Sequence, residues 1–143
     1  MRIRDVVAAK QQQQVLTVPP AATVRDLVAM LSEHNVGAMV VSDDGETVAG
    51  IVSERDGVRR LHSDPDVMST AVSEIMTREV HTCESAQDLD VVMAVMTERR
   101  IRHVPVVDDG AMVGIISIGD VVKHKINALQ FERDQLDSYV HQS

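Results

Sequence analysis

The 143-residue sequence specifies an α+β architecture in which one β-α-β-β-α unit occurs twice. A short phrase carries the first sign of it: GIVSERD at 50–56 returns as GIISIGD at 114–120. A longer pattern stands upstream of each copy. With Thr17 set against Thr82, the segment ending at Gly45 lies over the one ending at Gly110, and Ile3 falls opposite Val72 once four extra residues around 11–14 are allowed for. Nearly the whole chain is thus two copies, and an internal period of this kind outranks any local signal in assigning a fold. A unit of about 60 residues buries too little surface to be comfortably stable alone. The two are therefore expected to pack on each other with pseudo-twofold symmetry.

Each unit opens on a short strand, at Thr17 and Val18 in the first copy and at Thr82 in the second. A helix follows. Val24, Leu27, Val28 and Leu31, like Leu89, Val92, Met93 and Met96, fall at i, i+3, i+4 and i+7, with Arg25, Glu33, Asp90 and Glu98 off the stripe. Two β-rich runs come next, AMVVS and VAGIV in one copy and HVPVV and MVGII in the other, each pair separated by Asp-Asp-Gly. That is a hairpin signal. A second helix is expected over about 54–62 and again from about 119 onward. The stretch 63–69, with Pro65, reads as the boundary, giving units at 1–66 and 67–127 and a helical tail at 128–143. Along that tail Ile126, Leu129, Arg133, Leu136 and Val140 alternate three and four apart, a heptad-like seam interrupted by Arg133. The seam predicts self-association.

Composition narrows the function. With 22 Asp and Glu against 14 Lys and Arg, the formal charge is -8, which argues against nucleic acid, whose phosphate backbone is bound through broad fields of Lys and Arg. No apolar run approaches the roughly 18 residues of a membrane span, and the N-terminus does not read as a signal peptide. No membrane partner and a cytoplasmic location are the expectation. Cys83 is the only cysteine, so neither an intrachain disulfide nor a Cys-rich zinc site is possible. With one Phe, one Tyr, no Trp and eight Met, the core must be aliphatic, with Met as filler. A bound aromatic ring would be gripped by aliphatic side chains and backbone. His34, His62, His81, His103, His124 and His141 show no metal-ligand spacing, Cys83 has no local partner, and no P-loop is present. These features predict that the protein is not an enzyme and requires no cofactor.

The repeated phrase admits two readings. Ser53 with Asp56, and Ser117 with Asp120, have the spacing of a helix N-cap and its third residue, a relative of the capping box, stabilising by about 1 kcal/mol without any ligand. The same geometry offers free N–H groups to a phosphate and a carboxylate to a ribose diol. Six of the 14 Lys and Arg lie close by, at Arg55, Arg59, Arg60, Arg99, Arg100 and Arg102. Of these, Arg59, Arg60 and Arg99 suit a solvated helix face. The copies differ: Gly37, Ala38 and Val40 stand where the second has Arg102, His103 and Pro105, and Gly119 replaces Arg55. The two sites are expected to differ in ligand or affinity.

A duplicated unit with RHVPVVDDG before GIISIGD resembles the cystathionine-β-synthase (CBS) domain family, over about residues 1–127. The resemblance implies two CBS repeats in one module, with a C-terminal helical extension. It also implies an adenine nucleotide or nucleoside as ligand in the clefts between repeats, with Ser53 and Ser117 near phosphate and Asp56 and Asp120 on ribose. Arg55, Arg102 and His103 would reach phosphates beside Ala38, Val104 and Pro105, while Thr17, Val18 and Thr82 would offer backbone to adenine. A homodimer, formed through the tail or the disc-like face of the module, and an unidentified effector protein are the implied partners.

Overall fold

Two small sheets, one per repeat, organise the chain, which the computed structural model describes over residues 1–10 and 14–141. The extra residues at 11–13 and the last two of the tail lie outside that description. The order is α1 (Ile3–Ala9), β1 (Thr17–Val18), α2 (Val24–His34), β2 (Ala38–Val41), β3 (Gly50–Ser53), α3 (Glu54–Leu61), a 3-10 turn at Val67–Ser69, α4 (Val72–Ile75), α5 (Leu89–Arg99), β4 (His103–Asp108), β5 (Ala111–Ser117) and α6 (Ile118–His141). In the first sheet β1 runs parallel to β2, and β2 pairs antiparallel with β3. The second pairs β4 with β5. Its expected leading strand at Thr82 is reduced to one parallel bridge, Cys83 to Val106, held by bonds of 3.0 Å to Pro105 O and 2.8 Å from Val107 N.

The amphipathic helices form as their periodicity requires. Val24, Leu27 and Leu31 are buried on α2, and Leu89, Val92 and Met96 on α5. Val28 departs from the stripe and is 44% exposed, because it faces an apolar groove between α2 and α3. Thr23 starts α2 with a reciprocal capping box to Asp26. Both helices end on a left-handed residue, Asn35 at φ 53° and Arg100 at φ 56°, and Asn is the more usual choice there.

The hairpins differ although both carry Asp-Asp-Gly. In the second, Asp109 at φ 52° and Gly110 at φ 80° make a two-residue turn with both residues left-handed, matching the twist of paired strands. The first opens instead into a loop over 42–49. There the Asp44 carboxylate accepts from the N–H groups of Thr47 (2.7 Å) and Glu46 (2.8 Å) and from the hydroxyls of Ser42 and Thr47. Those bonds, the Thr47 N–H first, hold its carboxyl well below the usual carboxylate range. Glu46 O accepts from Met112 N at 2.9 Å, fastening the loop to β5.

Two helices not anticipated from the pattern, α1 and α4, tie the repeats together by exchange. Ile3 and Val6 of α1 lie in the core of the second repeat with Leu89, Met96, Val104 and Ile116. Val72 of α4 lies in the core of the first, with Leu27, Met39 and Val52. Backbone bonds repeat the exchange pair for pair: Ile3 N to Gln87 O (3.0 Å) matches Val72 N to Ala22 O (2.8 Å), and Arg4 N to Ser85 O (2.9 Å) matches Ser73 N to Pro20 O (3.0 Å). The repeated glycine of the phrase marks where the exchanged segments touch the sheets. A Cβ on Gly50 would stand 2.6 Å from Met76 Sδ and 2.9 Å from Thr77 O, and one on Gly114 would stand 3.0 Å from Val7 Cγ1.

Gly50→Ala is expected to destabilise the fold by about 1–3 kcal/mol, the range for overpacking, because backbone at Thr77 cannot yield as a side chain can. Gly114→Ala, which meets only Val7, is expected to cost less. Urea denaturation of both variants checks the order, and equal midpoints would contradict it.

Candidate functional site

Two clefts open between the repeats, each closed at one end by a copy of the Ser-x-x-Asp phrase. The first, about 330 Å³, is walled by Val7, Val15, Leu16, Val36, Ala38 and Ile115 and ends at Ser117 and Asp120. The second, about 310 Å³, ends at Ser53 and Asp56 and carries Arg55, Arg100 and Arg102. Both volumes lie at the small end of the roughly 300–1,000 Å³ typical of small-molecule pockets. Ala38 and His103, at matching positions of β2 and β4, line both.

The strand-to-helix corners follow from the phrase itself. Ser53 N donates to Asp56 Oδ2 at 2.8 Å and Asp56 N to Ser53 Oγ at 3.4 Å. Ser117 and Asp120 do the same at 2.9 and 3.1 Å. The next N–H of each helix is also taken, Glu54 N by Gly37 O at 3.0 Å and Ile118 N by Arg102 O at 2.8 Å. Among the described residues no protein group accepts from the N–H of Arg55 or Gly119, which leaves each corner a backbone donor beside a carboxylate.

The electrostatics of the clefts differ. Lys10, which the sequence reading did not single out, enters the first cleft: its Nζ lies 2.9 Å from Asp120 Oδ2 and 2.7 Å from Ile115 O. Partial burial alone would raise the Asp120 carboxyl. The Ser117 N–H and the Lys10 ammonium outweigh it, so the carboxyl sits below its ordinary value. Burial pushes the His103 imidazole down, Lys10 and Arg102 push the same way, and Asp120 opposes them. The His103 imidazole therefore sits below its ordinary value, beside the first-cleft ammonium and carboxylate. The second cleft has Glu79, with Arg55 and Arg102 both exposed. Arg100 also stands there in its left-handed conformation, a strained choice for a residue with a Cβ, of about 1–2 kcal/mol.

Of the residues expected to bind, Ala38, Ser53, Arg55, Asp56, Arg102 and His103 converge on the second cleft, and Ala38, His103, Ser117 and Asp120 on the first. Five do not line these clefts. Val18 and Val104 are buried in the two cores, Pro105 is buried in β4, Thr17 pairs β1 with Val40, and Thr82 is exposed. Val15, Leu16, Val80 and His81, one or two positions earlier, face the clefts instead. The signal for them was the start of each opening strand, where the backbone first leaves the core.

A two-repeat α+β module with paired interunit clefts is the class of protein these observations define. The CBS domain family profile matches residues 3–63 and 72–127, and the chain belongs to that family. It is 40% identical over 123 residues to the mitochondrial CBS domain-containing protein CBSX3 of Arabidopsis thaliana, covering 82% of this chain and 60% of that protein. With YhcV of Bacillus subtilis it shares 31% identity over 114 residues, covering 80% and 81%. Among solved structures, a putative signal-transduction protein with CBS domains from Burkholderia ambifaria superposes with a TM-score of 0.82 at 40% identity, covering 89% of this chain and 95% of that one. The CBS domain pair of protein MJ0100, solved with 5'-methylthioadenosine and S-adenosyl-L-methionine, shares the fold at 23% identity and a TM-score of 0.77, covering 90% and 98%. Among the described residues no helix is long and apolar enough to cross a membrane.

Asp120→Asn is expected to lower stability by about 1 kcal/mol at pH 7, as for a lost cap with a charge-assisted bond. Because the folded carboxyl is depressed, its contribution is complete above the ordinary aspartate value of about 4 and is lost as pH falls through the lower folded value. Denaturation curves of the two proteins should therefore converge as the pH is lowered towards about 3. A gap that stays constant down to that pH would remove Asp120 from this role.

Proposed function

We propose that this chain is a ligand-sensing regulatory module that binds an adenine nucleotide or nucleoside in one or both interunit clefts, signals by a change of shape or assembly, and does no chemistry on its ligand. The observation that carries the reading is the corner at each cleft mouth, where an untaken helix N–H stands beside an Asp carboxylate. An N–H there suits a phosphate and the carboxylate a ribose diol. Aliphatic walls in the first cleft suit a purine ring. The MJ0100 pair, with its adenosyl ligands, supports the same ligand class. Within this reading the second cleft, where Arg55, Arg100 and Arg102 stand among Glu54, Asp56 and Glu79, offers phosphates more guanidinium donors, and the first cleft, with Lys10 alone, suits a ligand with fewer phosphates. The non-enzymatic part is supported by the lone thiol: burial pushes Cys83 up to about 11, which leaves almost no thiolate at neutral pH.

One observation favours a second reading, a ligand-free interaction module. Both Asp carboxylates already complete helix caps, and Asp120 also pairs with Lys10.

Isothermal titration with AMP, ADP, ATP, S-adenosylmethionine and NAD separates the readings. Asp56→Ala and Asp120→Ala each remove a carboxylate whose charge-assisted bonds are worth about 1.5–3 kcal/mol, so each is expected to weaken its own cleft roughly 10- to 100-fold. ATP should be lost on changing Asp56 in preference to Asp120. Absence of saturable heat with every ligand would leave the interaction module as the reading.

A further inference from the structure

Among the described residues that line the first cleft, Lys10 is the one Lys or Arg and Asp120 the one Asp or Glu. Lys10 caps the end of α1 and Asp120 lies in the first turn of α6, so they meet only because α1 packs on the other repeat. Their side chains are 20% and 27% exposed. The Lys10 ammonium is held at two points, 2.9 Å from Asp120 Oδ2 and 2.7 Å from Ile115 O. Ser117 N donates to the same carboxylate oxygen at 2.9 Å. Both bonds to the carboxylate thus fall on Oδ2, and a ligand hydroxyl can take Oδ1 while the ammonium stays in place. At the position of the second repeat that matches Lys10 stands Glu79, which lines the second cleft with the opposite charge.

We propose that Lys10 is the specificity-determining residue of the first cleft, selecting a nucleoside whose 5' substituent is an anion, a monophosphate, over one whose 5' substituent is a sulfonium cation. The inference rests on the reading that a nucleoside occupies this cleft with its ribose on Asp120. The Gly119 N–H is one residue from that carboxylate, so a ribose held there brings its 5' substituent beside both the N–H and the Lys10 ammonium. In a site partly withdrawn from water, charges at such separations interact more strongly than in bulk solvent. A phosphate is attracted by the ammonium and a sulfonium repelled. The Asp120 charge that would otherwise draw a sulfonium is already balanced by Lys10. Because Asp120 and Ile115 O anchor the ammonium before any ligand arrives, the selection needs no rearrangement, and preorganised charge discriminates at little cost in ordering. The second cleft has no such single filter, since three arginines share it with three acids.

Titration calorimetry with AMP, 5'-methylthioadenosine and S-adenosylmethionine tests it. The three share an adenosine body and carry at the 5' position an anion, a neutral thioether and a sulfonium. The full chain is used with Asp56→Ala, which weakens the second cleft so that the first is read alone. With Lys10 in place AMP is expected to bind tightest and S-adenosylmethionine weakest. Lys10→Met, close in length and uncharged, should weaken AMP and tighten S-adenosylmethionine, each roughly 3- to 10-fold, and leave 5'-methylthioadenosine within about twofold. Lys10→Arg should keep the original order. Lys10→Gln, which retains a donor for Ile115 O, should repeat the shifts of the Met variant, so the test does not hang on one substitution folding well. Lost packing would weaken all three ligands alike and cannot move two of them in opposite directions. Three affinities that fall together, or an S-adenosylmethionine affinity equal to that of AMP with Lys10 present, would overturn the proposal and leave the nucleoside reading standing. No heat from any of the three would remove the nucleoside from this cleft, and this proposal with it.

Discussion

The reciprocal exchange of α1 and α4 is the constraint on which the rest of the structure depends. Each repeat has a sheet, a long helix and a capping helix, but its core is completed by a segment of the other. Ile3 and Val6 are 0% and 2% exposed and Val72 is 0%. Burying a side chain of this size contributes about 1.5–3 kcal/mol, so withdrawing either segment removes several kcal/mol from a unit already near the lower size limit for independent folding. The glycines of the repeated phrase belong to this constraint as much as to the strand-to-helix corner. Gly50 and Gly114 permit the exchanged segments to reach the sheets, while Ser53 and Ser117, three residues on, start the helices that close the clefts. One seven-residue phrase therefore sets both the packing between repeats and the shape of the space between them.

Pseudo-symmetry makes the two clefts comparable, and individual substitutions make them unequal. Counting on from the matched Ile3 and Val72, Lys10 corresponds to Glu79. The first cleft thus has an ammonium on its Asp carboxylate, and the second has an acid where that ammonium would be. Gly37 and Ala38 against Arg102 and His103 shift the balance the other way. The result is one aliphatic cleft with a neutralised carboxylate and one polar cleft ringed by arginine. Three arginines share the second mouth with Glu54, Asp56 and Glu79, so cations and acids balance there although the chain as a whole stands at -8.

Much of this was legible in the sequence because it rests on local rules. The stripes of α2, Val28 apart, and of α5, the Ser53 and Ser117 caps and the second hairpin depend on residues within a few positions of one another, and each appeared as read. What was not legible depends on distant partners. The stretches forming α1 and α4 are too short for periodicity to show a face, and their contacts lie some 80 and 50 residues away along the chain. Lys10 carried no signal because its partner, Asp120, is brought to it only by the exchange. The Asp-Asp-Gly of the first copy misled because Asp44 binds the N–H groups ahead of it and opens a loop, whereas Asp109 enters the left-handed region and closes a turn. The depressed pKa of His103 was likewise not legible, since burial beside an ammonium is invisible to spacing.

The last element joins the first cleft to the exposed seam. Helix α6 starts at the Ser117 corner, with Asp120 in its first turn facing the first cleft, and runs 24 residues to His141. A helix of that length spans about 36 Å, and unbroken intrahelical bonding makes it stiff. Whatever alters the Asp120 corner acts at the near end of a rod whose far end is the exposed seam. Its base is held at Val121 in the second core and at Asp90 through Lys125. The first repeat has no such arm: α3 starts at the matching corner and stops at Leu61 after eight residues. The asymmetry of the clefts is therefore continued in what each cleft can move, and only the aliphatic one, with its Lys10 and Asp120 pair, has the long helix attached.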